Sequence, residues 1–205
     1  MAIFVTGTDT NVGKTLIAAW ICLHTRAAYF KPIQTGLVDG KDSDVVKKIT
    51  QTKIYPEAYT FQKPLSPHAA AAAEKTSIVP SSLSLPPEKS LVIEGAGGVL
   101  TPIRPAYFMA DLMKQWNLPA LIVARSQLGA INHTCLTLEA LAKRNIKILG
   151  VIINGHLNAV NKRAIEDYGR TKVLAEFPQL KSVRAANLKA VKLPQKLSNA
   201  LKNYL

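Results

Sequence analysis

Apolar and polar positions along the chain alternate between two rhythms. Short apolar runs at Ala2–Val5, which is free of turn residues, and at Ala28–Lys31, Ser90–Glu94, Pro119–Ala124 and Ile148–Asn154 read as buried strands, and Lys172–Glu176 is a weaker sixth. Between them, apolar residues recur at helical spacing. The pattern predicts helices over 14–26, 43–50, 66–75, 107–116, 131–144, 159–169 and 194–203. Strands alternating with helices predict an α/β fold with a mostly parallel central sheet and helices on both faces. No repeat or linker divides the chain, so 1–205 is expected to be one domain. The stretch Pro80–Lys89 reads as a surface loop.

The first junction carries the chemistry. Ala2–Val5 runs into Thr6–Val12, then Gly13-Lys14-Thr15, then an apolar helix face. Strand, Gly-rich loop, GKT and helix is the context of a phosphate loop. Backbone N–H groups of the loop and helix start point at phosphate oxygens. Lys14 is placed to reach the β- and γ-phosphates, and the Thr15 hydroxyl to ligate Mg²⁺. Five residues separate Gly7 from Gly13, one more than the usual pattern.

In an open α/β sheet the ligand lies beyond the carboxyl ends of the strands. Thr6-Gly7, Lys31, Glu94 and Asn154 all fall at such ends. Lys31 is assigned to the γ-phosphate or substrate. Glu94, directly before Gly95-Ala96-Gly97-Gly98, is a costly place for a carboxylate unless a cation sits there. Asp44, in Asp42-Ser43-Asp44, is read as a second carboxylate aimed at Mg²⁺, because Asp42 or Ser43 can cap the helix instead. Gly129-Ala130-Ile131-Asn132-His133 opens a helix, either as an anion site or as a plain cap. His68 is read as a structural hydrogen-bonder.

Composition adds limits. The net charge is +13, and residues 101–205 hold +11 of it. Those cations are scattered and lack interleaved aromatics, so a solvated face is expected rather than a nucleic-acid surface. No uncharged apolar run reaches membrane-spanning length, no leader peptide is seen, and Cys22 and Cys135 are isolated. A cytoplasmic protein without disulfides is expected.

Taken together, FVTGTDTNVGKT, YFKPIQTG, DSDV, SPHAA, VIEGAGG with the TP after it, GAINHTCLT and the strand ending in Asn154 resemble the dethiobiotin synthetase family in content and order. The longer phosphate loop is a family trait. The resemblance implies a P-loop NTPase-type three-layer sandwich and a Mg²⁺-dependent reaction. In it 7,8-diaminopelargonate and CO₂ (or bicarbonate) form a carbamate, ATP phosphorylates it, and the second amine closes the ureido ring. Lys14 and Lys31 are then catalytic. Asn11, Val12, Gly13, Lys14, Thr15, Leu16, Asp44, Glu94, Gly95, Ala96 and Gly97 hold the nucleotide and its phosphates. Asn154, Pro178, Gln179 and Leu180 take the adenine. Thr15, Asp44 and Glu94 hold the metal. Thr10, Thr35 and Gly97 meet the diamine and carbamate, while Gly129, Ala130 and Asn132 of a second subunit bind the substrate carboxylate, which implies a homodimer with interfacial sites.

Some residues depart from the family. Gly155 stands where Asp is frequent, Glu176–Leu180 lacks a family Gly, and KSVRAAN has no acid for the ribose. The loop 77–89 is shorter than the family's helix there. Partition-type switch ATPases carry a signature lysine in the phosphate loop where this chain has Asp9, which counts against that alternative. Cobyrinate-type synthases need a much longer chain.

Overall fold

The structure, a computed structural model, describes residues 1–205. The chain runs β1 (Ala2–Gly7), α1 (Lys14–Thr25), β2 (Ala28–Phe30), β3 (Ile33–Thr35), α2 (Asp42–Thr50), β4 (Ile54–Tyr55), β5 (Tyr59–Phe61), α3 (Pro67–Ala73) and β6 (Leu91–Gly98). It continues through β7 (Pro102–Arg104), β8 (Tyr107–Phe108), α4 (Met109–Gln115), β9 (Ala120–Arg125), α5 (Ala130–Ala142), β10 (Ile148–Asn154), α6 (Ala159–Gly169), β11 (Val173–Phe177), α7 (Ala185–Ala190) and α8 (Gln195–Leu201). Seven strands form one parallel sheet in the order β11-β10-β9-β1-β6-β2-β4.

Alternation along each strand feeds two apolar layers. Ile3 and Val5 of β1, with Val92, Leu121, Val123 and Ile152, face Ile17, Trp20, Val46, Leu188 and Leu197 of α1, α2, α7 and α8. Phe4, with Ile93, Ile122 and Ile153, faces Ala70, Met109, Leu112, Leu138 and Ile165 of α3, α4, α5 and α6. Burial on both faces explains why these strands read as unbroken apolar runs. The predicted three-layer arrangement is therefore found.

Boundaries and small elements differ from expectation. Strand β6 extends through the glycines to Gly98, and β2 stops one residue before Lys31. Tyr107 and Phe108, expected in a helix, instead pair with β7. Strands of two or three residues such as β3, β4 and β5 are too short to show a period. Helix α7 is only six residues long and buries only Leu188, so it left no apolar stripe to read. Within Pro80–Lys89 there is a single 3-10 turn at Pro80–Ser82. Cys22 and Cys135 are free, and no helix is long and apolar enough to cross a membrane.

The register between β1 and β6 breaks at the site. Val5 pairs with Glu94 and Gly7 with Gly98, so β6 advances four residues while β1 advances two. The irregularity pushes Ala96 and Gly97 out over the carboxyl edge, the position in which bulges commonly re-aim chain near a site.

Candidate active site

The phosphate loop leaves β1 and enters α1 at Gly13, which has φ +95°. A side chain there would collide with the Asn154 amide, so both conformation and space demand glycine. Asn154, at the end of β10, donates from Nδ2 to the Val12 carbonyl at 2.9 Å. It thus ties the end of the loop to β10, two strands away from β1. At the loop's start Asp9 accepts from Thr10 N at 2.7 Å and pairs with Arg125 Nη2 at 3.4 Å.

Behind the loop four charged groups and a hydroxyl converge. Glu94 is 1 % exposed. Its Oε1 accepts from the Thr15 hydroxyl at 2.9 Å and from Lys31 Nζ at 3.2 Å. Its Oε2 accepts from the Tyr29 hydroxyl at 2.7 Å. Thr15 also lies 3.0 Å from Asp42 Oδ1, and Lys31 pairs with Asp42 Oδ2. Lys14 is buried as well and donates to the Asp9 carbonyl at 2.9 Å. Burying two acids without partners would be prohibitive; here the lysines and hydroxyls compensate them.

The same packing sets the charge states. Burial pulls the Lys14 pKa down to about 8, against the opposing pull of Glu94. Burial also acts to lower Lys31, but Glu94 and Asp42 outweigh it and the ammonium is held above its ordinary range. Asp42 is lowered: burial works against its charge, and Lys31 more than offsets that. Tyr29 stays protonated, its phenol pushed up by burial and by Glu94.

One expected residue is replaced. The second carboxylate is Asp42, not Asp44. Glu57 fixes the start of α2 by accepting from Ser43 and, at 3.1 Å, from Lys41. With Ser43 so held, Asp42 turns toward Lys31. Asp44, two residues on and about 200° around the helix, is exposed and makes no side-chain bond. At Gly95 a Cβ would meet the Phe4 ring at 2.7 Å and Met109 at 3.2 Å, so the core packing beneath the strand requires glycine there.

A cavity of about 950 Å³ opens in front of these groups, lined among others by Thr10, Asn11, Thr35, Asp42, Ala96 and Gly97. Gly97 has φ +66°, and a Cβ there would strike Thr101, whose hydroxyl accepts from Gly98 N at 2.9 Å. Val12 is buried under the loop and Leu16 half-buried on α1. A second cavity, about 350 Å³, lies beyond β10 and β11 and is lined by Gly155, Pro178, Gln179 and Leu180. It begins at Gly155, the residue after Asn154. Gly129, Ala130 and Asn132 do not line either cavity. His133, Leu136 and Thr137, further along α5, reach the larger one. His68 bonds Ser66 at 3.0 Å, a local structural contact.

Sequence reasoning missed Tyr29, Asp42 and the Asp9–Arg125 pair. The first had a signal. Tyr29 and Lys31 are two apart on one strand face, and Val92 and Glu94 share the facing side of β6.

The donor set of two carboxylates and a hydroxyl is all hard oxygen, and no cluster of three or more His, Cys, Asp or Glu is present. That is the pattern of a Mg²⁺ site completed by phosphate oxygens. A glycine-bearing loop between a central parallel strand and a helix, backed by these groups, defines a P-loop nucleotide-binding enzyme. The fold agrees. A ParA family ATPase from Chlorobium tepidum superposes with TM-score 0.56 at 13 % identity, covering 98 % of this chain and 97 % of that one. The cell division ATPase MinD of Pyrococcus furiosus superposes with TM-score 0.57 at 15 % identity, over all of both chains. A family model described as an AAA domain matches residues 1–187.

The relatives are more specific. The ATP-dependent dethiobiotin synthetase BioD of Lawsonia intracellularis is 49 % identical over 96 % of this chain and 97 % of its own. That of Paramagnetospirillum magneticum is 49 % identical over 94 % and 95 %. This chain belongs to the dethiobiotin synthetase family.

Proposed function

We propose that the chain joins CO₂ to 7,8-diaminopelargonate at the expense of ATP and closes the ureido ring of dethiobiotin. The observation that carries this reading is the 49 % identity to a dethiobiotin synthetase along nearly the whole chain. The geometry is consistent with it. One amine takes up CO₂ as a carbamate. A carbamate oxygen then attacks the γ-phosphorus and displaces ADP, and the second amine attacks the activated carbon and expels phosphate.

The protein's work in this sequence is positioning and charge. Lys14 and Lys31 are placed to balance charge on the transferring phosphoryl group. Thr15, Asp42 and Glu94 would hold Mg²⁺, which supplies Lewis-acid charge at the phosphates. A MinD of the same fold, from Pyrococcus horikoshii, is known complexed with Mg-ADP. Thr10, Thr35 and Gly97 border the cavity assigned to the diamine. Pro178, Gln179 and Leu180 border the cavity assigned to adenine, which begins at Gly155 next to Asn154. A bound diamine held against the carbamate reacts at the effective concentration of an intramolecular partner.

Following the family resemblance, we assign the substrate carboxylate to Gly129, Ala130 and Asn132 of the partner subunit in a cytoplasmic homodimer; the three residues line neither cavity of their own chain. The exposed Leu128, 107 % accessible just before that helix start, and Leu136, 57 % accessible in mid-helix, suit such an interface. Phosphate release from Mg·ATP measured with and without the diamine and bicarbonate tests the function. Release that needs both supports it; release indifferent to the diamine refutes it.

A further inference from the structure

Lys31 sits on the same atoms that the metal would use. Glu94 Oε1 already accepts from Thr15 at 2.9 Å and from Lys31 at 3.2 Å, while Oε2 is taken by Tyr29. Asp42 gives one oxygen to Thr15 and the other to Lys31. The acceptor positions facing the Thr15 hydroxyl are therefore filled by an ammonium. A divalent cation bound to Thr15, Asp42 and Glu94 would lie within a few ångströms of Lys31 Nζ, and two cations so close on shared oxygens repel strongly. Lys14 Nζ donates instead to the Asp9 carbonyl at 2.9 Å and makes no hydrogen bond to either carboxylate.

We propose that Lys31 is a placeholder cation: it competes with the divalent metal for Asp42 and Glu94, and turns to the transferring phosphoryl group only after the metal has taken the carboxylates. The proposal rests on the Mg²⁺-site reading above. It gives Lys31 two stations. In the first it neutralises the buried Glu94 and the half-buried Asp42. In the second it is free to meet charge brought by ATP. Free metal must displace an ammonium without the help of phosphate oxygens, so it binds poorly alone. Metal arriving with nucleotide supplies both the ligands and a new partner for Lys31. Phosphoryl-transfer competence is thereby coupled to the metal–nucleotide pair.

The test is Mn²⁺ binding followed by electron paramagnetic resonance or calorimetry. Three proteins are compared without nucleotide: wild type, Lys31→Met and Lys31→Arg. Lys31→Met should bind Mn²⁺ at least about tenfold more tightly than wild type, equal to about 1.4 kcal/mol. Lys31→Arg, which keeps the charge, should stay near wild type. Adding Asp42→Asn to Lys31→Met should abolish the gain. Where Lys31→Met is too unstable to titrate, Lys31→Gln takes its place, and Mg²⁺ alone should raise the melting temperature of the neutral variant more than that of wild type. Equal or weaker metal binding by both neutral variants overturns the proposal. Wild type with Mn²⁺ and ADP is the separate control. Binding there that depends on Glu94 supports the metal-site reading, and its absence sinks that reading rather than the competition alone.

Discussion

Replacing Tyr29 by Phe removes one oxygen from the centre of the site without touching the charged groups. The Tyr29 ring is fully buried, and its hydroxyl donates to Glu94 Oε2 at 2.7 Å. A hydrogen bond to a buried charged group contributes about 1.5–3 kcal/mol. Phe fills the same space, so no sizeable cavity adds to the loss. What remains is a carboxylate oxygen without a partner, deep behind the phosphate loop. Tyr29→Phe should therefore lower unfolding free energy by about 2 kcal/mol, or about 4–8 °C in melting temperature for a chain of this size. Glu94 also loses the contact that fixes its orientation toward Thr15, so kcat should fall several-fold while KM for ATP changes less. Urea titration and steady-state kinetics on the purified variant measure both. A stability change under about 0.5 kcal/mol with unaltered kcat would refute the assignment of Tyr29 as the residue that orients Glu94.

Other outcomes follow from the same geometry. Asp42→Asn should cut kcat/KM at least about a hundredfold by removing a charged ligand position, whereas Asp44→Asn, on the exposed side of α2, should stay within about twofold. Steady-state assays of the two variants side by side decide between the carboxylates. Lys14, with its pKa drawn down to about 8 by burial, must be protonated to attract phosphate, so kcat/KM for ATP should fall as pH rises through about 8. The stability contribution of Lys14 moves the other way: the unfolded chain keeps the proton longer, so that contribution improves between about 8 and the ordinary 10.5. A pH profile of kcat/KM in wild type checks the first, and urea titrations across that range the second. Gly95→Ala should destabilise by about 1–3 kcal/mol through overpacking against Phe4 while leaving KM for ATP unchanged in the folded fraction.

Most of the fold was legible because its strands are buried on both faces and its helices carry one apolar stripe. The phosphate loop was legible because its chemistry is local. Gly13, Lys14 and Thr15 are neighbours in sequence and need only the strand before and the helix after. The opposite wall of the site was harder. Whether Asp42 or Asp44 turns inward depends on Glu57, which fixes Ser43 from a loop that no motif marks. Tyr29 belongs to the site through strand alternation, a signal present but hidden in an aromatic strand that also reads as plain core. That Gly95 is also required by the Phe4 ring packed against it could be read only from the folded chain. The role proposed for Gly129, Ala130 and Asn132 would need a second chain, which no pattern within one chain can position.

The most direct measurement is mass detection of the product made from ¹³C-bicarbonate, 7,8-diaminopelargonate and Mg·ATP, with Lys31→Ala run beside wild type. Dethiobiotin carrying a single labelled carbon, formed in step with phosphate release by wild type and absent from the variant, is the predicted result. Phosphate release without labelled product, or unlabelled product from both proteins, would contradict ring closure at this site.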